Sequence, residues 1–280
     1  MQSLMLGLIA ALLWGVHDFT VRKVGDKADA AALYLIVLVV GAILLVPLAL
    51  FEHGWASMTP EVTRLSIAAG IAAAGAGYGL YRAFAIGPVR LVAPICGAFP
   101  LLSVGFAMAR GAEAGPLVWL GALAVVVGIA VVARGENDAG NGDARAAVAW
   151  AALACVSFAV TFGLLQWAAE RGADMAVSLV SRVVACFALL LWVRLQRIDL
   201  KPALRILPTL GLMGFLDVTA LTLVTVAGGF PRPEFASVAA SIFGLVTILL
   251  AWRFLREPMA ALQWAGAVVV FSGIAVLGLV

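Results

Sequence analysis

Ten apolar blocks, each about 18 to 24 residues long, follow one another with hardly any sequence between them. They are predicted at Leu4 to Val21, Ala28 to Phe51, Leu65 to Ile86, Val89 to Ala109, Pro116 to Ala133, Ala146 to Trp167, Met175 to Val193, Ile206 to Ala227, Phe235 to Trp252 and Met259 to Val280. Wound as helix, each such block spans the hydrocarbon layer of a bilayer. With 64% hydrophobic and 12% charged residues, almost nothing is left for a soluble domain. The expected fold is an all-α integral membrane protein of ten transmembrane helices. The first block lacks a basic leader and a small-residue cleavage site, so it is read as structure and not as a signal peptide.

A sequence pI near 9.0 invites a nucleic-acid reading. The positive charges lie between helices, however, where they set membrane orientation, and no nucleic-acid partner is expected. Cys96, Cys155 and Cys186 fall inside apolar blocks without metal-ligand spacing and read as small buried residues. No metal or cofactor is expected.

Offsetting the chain against itself by 145 residues brings Trp119-Leu-Gly121 onto Trp264-Ala-Gly266 and Gly128-Ile129 onto Gly273-Ile274, with Pro88 on Pro233 and Asp29 on Asp174. The chain is thus a five-helix unit used twice, over residues 1–140 and 141–280. The polar stretch Arg134 to Arg145 reads as the linker between them. Five spans per unit return the second unit to the membrane from the opposite side, giving inverted repeats. Charge agrees: the odd-numbered connections hold 12 of the 18 Lys and Arg and the even-numbered ones 4, with Arg82 and Arg182 inside helices. By the positive-inside rule the basic connections are cytoplasmic and both termini lie outside.

The stretch Tyr78 to Pro100 reads as two helices meeting at a break. Gly87-Pro88 ends the first, because proline has no backbone donor and disfavours helix in the residue before it. Pro94 and Pro100 interrupt the second, a fault that membrane proteins tolerate beside a cavity. Pro88, Pro94 and Pro100 are the candidate gating positions. Arg82 lies about one turn inside the membrane and marks a functional site. Tyr78 shares its helix face, four residues away, and together they offer a forked donor and a flat ring to an anionic, apolar molecule. The bland alternative makes the tyrosines interfacial belt residues, which fits Tyr81 better than Tyr78.

Elsewhere, Trp14, His17 and Asp18 stand near the end of the first helix. Asp18 lies four residues before Arg22, so an ion pair along the helix competes with a cavity role. His17 has an ordinary pKa near 6.5 and can exchange a proton near neutral pH, or serve as a hydrogen-bonded structural residue. The uncharged second helix reads as scaffold. Phe158, Thr161, Phe162, Gln166 and Trp167 form an aromatic face on the sixth helix, and Arg182 sits deep in the seventh near Ser178 and Ser181. Asp217 is the deepest carboxylate, a site for a cation, amine or proton, or else a structural partner of Arg82 or Arg182. Ser237, Ser241 and Thr247 supply polarity on the ninth helix. The fifth and tenth helices, rich in Gly, Ala and Val, read as packing or oligomer-contact helices. Five plus five helices complete a bundle, so a monomer suffices.

No catalytic signature is present, and the chain is not expected to be an enzyme: there is no metal spacing, phosphate loop or paired nucleophile and base. The pattern A-F-A-I-G-P-V-R-L-V-A-P-I-C-G-A-F-P-L-L, and the run containing Glu257-Pro258, Gln263, Gly266 and Gly273, resemble the EamA family of the drug/metabolite transporter superfamily. Glu113, Gly121 and Gly128 repeat the second motif more weakly. The resemblance implies a ten-helix bundle of inverted repeats with a cavity lined by helices one, three, four, six, eight and nine. It also implies alternating access and export of small metabolites from bacteria. The branch matched in architecture and aromatic content is that of the YddG-like amino-acid exporters. The family often carries an arginine in both the second and seventh helices, whereas here Val37 stands opposite Arg182. Small multidrug relatives use a glutamate of the first helix for proton exchange; His17 and Asp18 occupy that neighbourhood here, which leaves proton coupling to be tested.

The function expected is export of neutral or aromatic amino acids across the inner membrane. Arg82 or Arg182 would take the carboxylate, Asp217 the amine, and Trp14, Tyr78, Phe162 and Trp167 the side chain. Efflux of organic cations or drugs, and a non-transporting membrane subunit, are the alternatives. The buried charges argue against the subunit, which gains little from them.

Overall fold

The computed structural model describes residues 2–51, 53–99, 101–102, 105, 108, 113, 115–133, 144–169, 171, 174–227, 230, 236, 239–240 and 242–277. Among these there is no strand. The helices are α1 (Gln2–Val24), α2 (Ala30–Phe51), α3 (Pro60–Ile86), α4 (Val89–Cys96), α5 (Pro116–Ala133), α6 (Ala144–Ala169), α7 (Asp174–Leu195), α8 (Leu207–Ala227), α9 (Phe243–Leu250) and α10 (Ala261–Leu277). A 3-10 turn at His53–Ser57 and a single turn at Lys201–Leu204 join neighbours. Residues 134–143 of the linker, together with Pro100, Ser237 and Ser241, lie outside the described residues.

Local chemistry sets the helix ends. Asp29 accepts the Ala31 N–H at 2.8 Å, satisfying an orphan donor at the start of α2. Thr59 caps α3 by accepting the Val62 N–H at 3.3 Å, and Pro60 follows at a position where its missing donor costs nothing. The break at Gly87-Pro88 appears where the sequence places it: Gly87 is extended and Pro88 caps α4. α4 runs through Pro94 for only two more residues before stopping at Cys96. α9 passes into a π-turn at Ala251–Leu255 that ends on Arg256 in the left-handed region, with φ 55°.

Among the described residues, five helices are long and apolar enough to cross a bilayer: α1, α2, α7, α8 and the Ala144–Leu165 part of α6. The ten equal spans read from the sequence are therefore supported at the coarser level of an all-helical, multi-pass membrane protein. α3 has the length, at 27 residues, but Gly, Ala, Tyr and Arg82 replace large aliphatics along it. Its neighbours explain this composition, for α3 packs between α6 and α7. α5 and α10, at 18 and 17 residues, reach about 26 Å at 1.5 Å per residue. The outer surface is covered by exposed aliphatic and aromatic side chains such as Ile43, Leu50, Phe187, Leu191 and Leu262, as a lipid-facing surface requires.

Helices from the two halves of the sequence interlock, and the main contacts between them recur in duplicate. α3 lies on α6 and α7, as α8 lies on α1 and α2; α4 lies on α6, as α9 lies on α1. α5 and α10 pair with each other through glycines. A Cβ on Gly128 would come within 2.8 Å of the Gly266 carbonyl oxygen, and one on Gly273 within 2.8 Å of that of Gly121. The pairs 121 with 273 and 128 with 266 run in opposite directions along the chain, so the last helices of the two units cross antiparallel. Backbone approach of this kind needs glycine, because dispersion between closely packed backbones drives helix association in lipid.

Candidate functional site

A cavity of about 150 Å³ lies at the centre of the bundle, an order of magnitude larger than the ~10–15 Å³ that one water needs. Among the described residues its wall is formed by α1, α2, α3, α6, α7, α8 and α9, with Phe99 from just beyond α4, so α2 and α7 join the helices implied by the family resemblance. The uncharged α2 is more than scaffold: Tyr34 and Leu38 face the cavity.

Polar groups in the wall form two connected sets. In the first, Arg182 Nη2 donates to Asp217 Oδ2 at 2.7 Å and the Trp14 indole N–H donates to Asp217 Oδ1 at 3.2 Å, so both carboxylate oxygens are occupied. The Arg182 side chain is 8% exposed and that of Asp217 23%, leaving the carboxylate open to a ligand. Room for the guanidinium comes from Gly41, where a Cβ would sit 2.3 Å from Arg182 Nη1. That Nη1 is buried without a hydrogen-bond partner.

In the second set His17 bridges Asp18, at 2.9 Å from Nδ1, and the Tyr81 hydroxyl, at 3.1 Å from Nε2. An ionised carboxylate only accepts, so with Asp18 ionised the Nδ1 proton points at Asp18. A neutral ring then accepts the Tyr81 proton at Nε2. The Tyr81 ring packs on Tyr34 at 5.1 Å between centroids, and Tyr34 donates to the Ala73 carbonyl at 3.2 Å. Gly77 makes this possible, since a Cβ there would meet the Tyr34 ring at 2.0 Å. Aromatic rings complete the wall on two sides. Phe99 and Phe162 lie 5.0 Å apart beside Phe158, and Trp14 meets Phe243 edge-on at 6.2 Å.

Of the residues singled out in the sequence, Trp14, His17, Phe162, Arg182 and Asp217 come together here. Tyr78, Arg82 and Trp167 do not line the cavity. Tyr78 packs between Trp150 and Trp192, with centroids 5.4 and 6.1 Å away, and Arg82 lies 5.8 Å over the Trp150 ring. The cavity face of α3 is instead Ala73, Gly77 and Tyr81, about a quarter turn round the helix from Tyr78 and Arg82. Tyr81 is buried at 1% exposure and is no belt residue. Trp167 stands in the last turn of α6 under the guanidinium of Arg171, at 5.7 Å. The Gln166 side chain lies outside the described ones. The expected Asp18–Arg22 pair is also absent, because Asp18 turns inward to His17 while Arg22 turns to Glu257.

At the end of the bundle where α1 stops, Glu257 joins three segments. Its Oε1 accepts Arg22 Nε and its Oε2 accepts the backbone N–H of Val89, both at 2.8 Å. Arg22 also donates to the Phe84 carbonyl at 3.2 Å, and Arg90 to that of Pro258 at 3.0 Å. The carboxylate sits at the N-terminus of α4, where unpaired N–H groups favour an anion. Glu257 thus clasps the end of α1 and the Gly87-Pro88 break to the link between α9 and α10.

A search of curated proteins finds no match. A solved crystal structure is similar over 98% of this chain and 95% of its own length, with a TM-score of 0.66 at 14% identity. That likeness concerns the fold alone. The description "EamA-like transporter family" matches residues 1–134 and, separately, 145–279. The two matches, to successive halves of the sequence, account for nearly the whole chain. The chain belongs to the EamA-like transporter family.

Proposed function

We propose that the protein exports neutral, and preferentially aromatic, amino acids across a bacterial inner membrane by alternating access. The observation that carries this reading is the Arg182–Asp217 pair set among aromatic rings in one cavity. A zwitterion offers the same two charges, so its carboxylate can take the guanidinium and its ammonium the Asp217 carboxylate. Trp14, Phe99, Phe158, Phe162 and Phe243 would then surround an apolar side chain. Pro88 and Pro94, where the backbone ladder of α3 and α4 is interrupted, would serve as hinges, and the Glu257 clasp would close the basic end during the cycle. His17, hydrogen-bonded to Asp18, is the group for proton exchange if transport responds to a pH gradient.

Binding of labelled phenylalanine to the purified protein tests this directly. Saturable binding that Asp217→Asn removes supports the reading, and binding unchanged in that variant removes Asp217 from the site. A second reading, efflux of organic cations, is favoured by Asp18, which gives the cavity two carboxylates against one arginine. It requires a quaternary ammonium compound to displace phenylalanine or to bind in its place.

A further inference from the structure

Arg82 is left over by the cavity, and its surroundings are unusual for a charge inside a membrane. Its guanidinium has a single neighbour of note, the Trp150 ring, and among the described residues it forms no ion pair and no hydrogen bond. The Nε–H is buried and unpartnered. A buried donor without an acceptor costs free energy, so this Nε–H calls for a partner.

Position along the helices gives the depth. Arg82 is four residues from the end of α3 at Ile86, Trp192 three from the end of α7 at Leu195, and Trp150 six from the start of α6 at Ala144. These helix ends lie at the same end of the bundle, the one carrying the excess of Lys and Arg. At 1.5 Å per residue the three side chains stand about 4 to 9 Å from that end, the depth of lipid headgroups and their glycerol. Trp192, packed against Tyr78, is 41% exposed, so this cluster reaches the outer surface, and none of its four residues lines the cavity. Arg194 and Arg197 continue the positive charge just beyond it, both exposed.

We propose that the surface where α3, α6 and α7 meet at Arg82 binds the phosphate of an anionic phospholipid. A phosphodiester oxygen gives the Nε–H its missing acceptor, and the guanidinium fork suits a phosphate better than a point charge would. Tyr78, Trp150 and Trp192 supply rings for the glycerol and the first methylenes. Charge complementarity selects the lipid class: among the described residues Arg82 has no acidic partner to receive the ammonium of a zwitterionic headgroup.

The test uses the full chain purified in detergent, with phosphatidylglycerol or phosphatidylcholine of the same acyl chains, followed by thermal unfolding and by native mass spectrometry of retained lipid. Phosphatidylglycerol is expected to be retained about fivefold over phosphatidylcholine and to raise the Tm. Arg82→Gln loses that preference and Arg82→Lys keeps part of it. Equal retention of the two lipids by the unmodified chain overturns the proposal, a result that needs no variant to fold. So does full phosphatidylglycerol preference in folded Arg82→Gln, or an equal shift from water-soluble glycerophosphoglycerol, which would mark an anion site in place of a lipid site.

Discussion

Arg182 and Asp217 meet at 2.7 Å across α7 and α8, and the second oxygen of the carboxylate holds the indole of Trp14 from α1. Three helices are thus tied at one carboxylate in the wall of the cavity. Removing one member of such a pair strands the other charge, at a cost of about 3–5 kcal/mol, whereas replacing both by apolar residues of similar size is often neutral. Arg182→Met and Asp217→Leu are each expected to lower thermal stability more than the double substitution does. All three variants are expected to lose transport. Chemical denaturation of the four proteins, analysed as a double-mutant cycle, checks this.

Gly41 tests the same pair from outside the site. A methyl group there would sit 2.3 Å from Arg182 Nη1, so Gly41→Ala must push the guanidinium aside. Transport is expected to fall at least about tenfold, equivalent to about 1.4 kcal/mol, without loss of helical content. Initial rates in vesicles and circular dichroism together check the outcome; unchanged rates would mean that the position of Arg182 is not critical.

Glu257→Gln keeps the shape of the clasp and removes its charge. Hydrogen bonds to charged groups contribute about 1.5–3 kcal/mol, and Arg22, with its side chain 30% exposed, brings the expected loss toward the lower end. A lower Tm is expected, together with a changed rate of transport, because the clasp is proposed to form and break in each cycle. A lower Tm with transport unaltered would make the clasp structural only.

The glycine contact between α5 and α10 lies away from the cavity. Gly128→Val brings side-chain atoms against the Gly266 backbone, 2.8 Å from where its Cβ would stand. Overpacking of this kind costs about 1–3 kcal/mol. The yield of folded protein is expected to drop while transport per folded molecule stays unchanged, as measured by vesicle uptake normalised to the monodisperse fraction.

Much of the architecture was readable because it is written in one dimension. Apolar blocks, the Gly87-Pro88 break and the 145-residue offset are properties of neighbours in the chain or of equal spacing. The offset even superposed Gly121 on Gly266 and Gly128 on Gly273, although only the structure brings Gly121 against Gly273 and Gly128 against Gly266. The site was readable where burial of charge alone points to it, as for Arg182 and Asp217. It was not readable where helix rotation decides. Tyr81 and Arg82 differ by one position, yet one faces the cavity and the other Trp150. Tyr34 had no charge to mark it, and its place depends on Gly77 in another helix. Asp18 had a plausible partner four residues away in Arg22, but Glu257, 235 residues from Arg22 in sequence, took that arginine.

Flux decides the function. Purified protein in liposomes, supplied with labelled phenylalanine and threonine with and without an imposed pH gradient, is to be compared with protein-free vesicles and with Asp217→Asn. Amino-acid export requires saturable flux above background that Asp217→Asn abolishes in a folded protein. No flux under either condition, with the unmodified protein folded, or equal flux through Asp217→Asn, would contradict it.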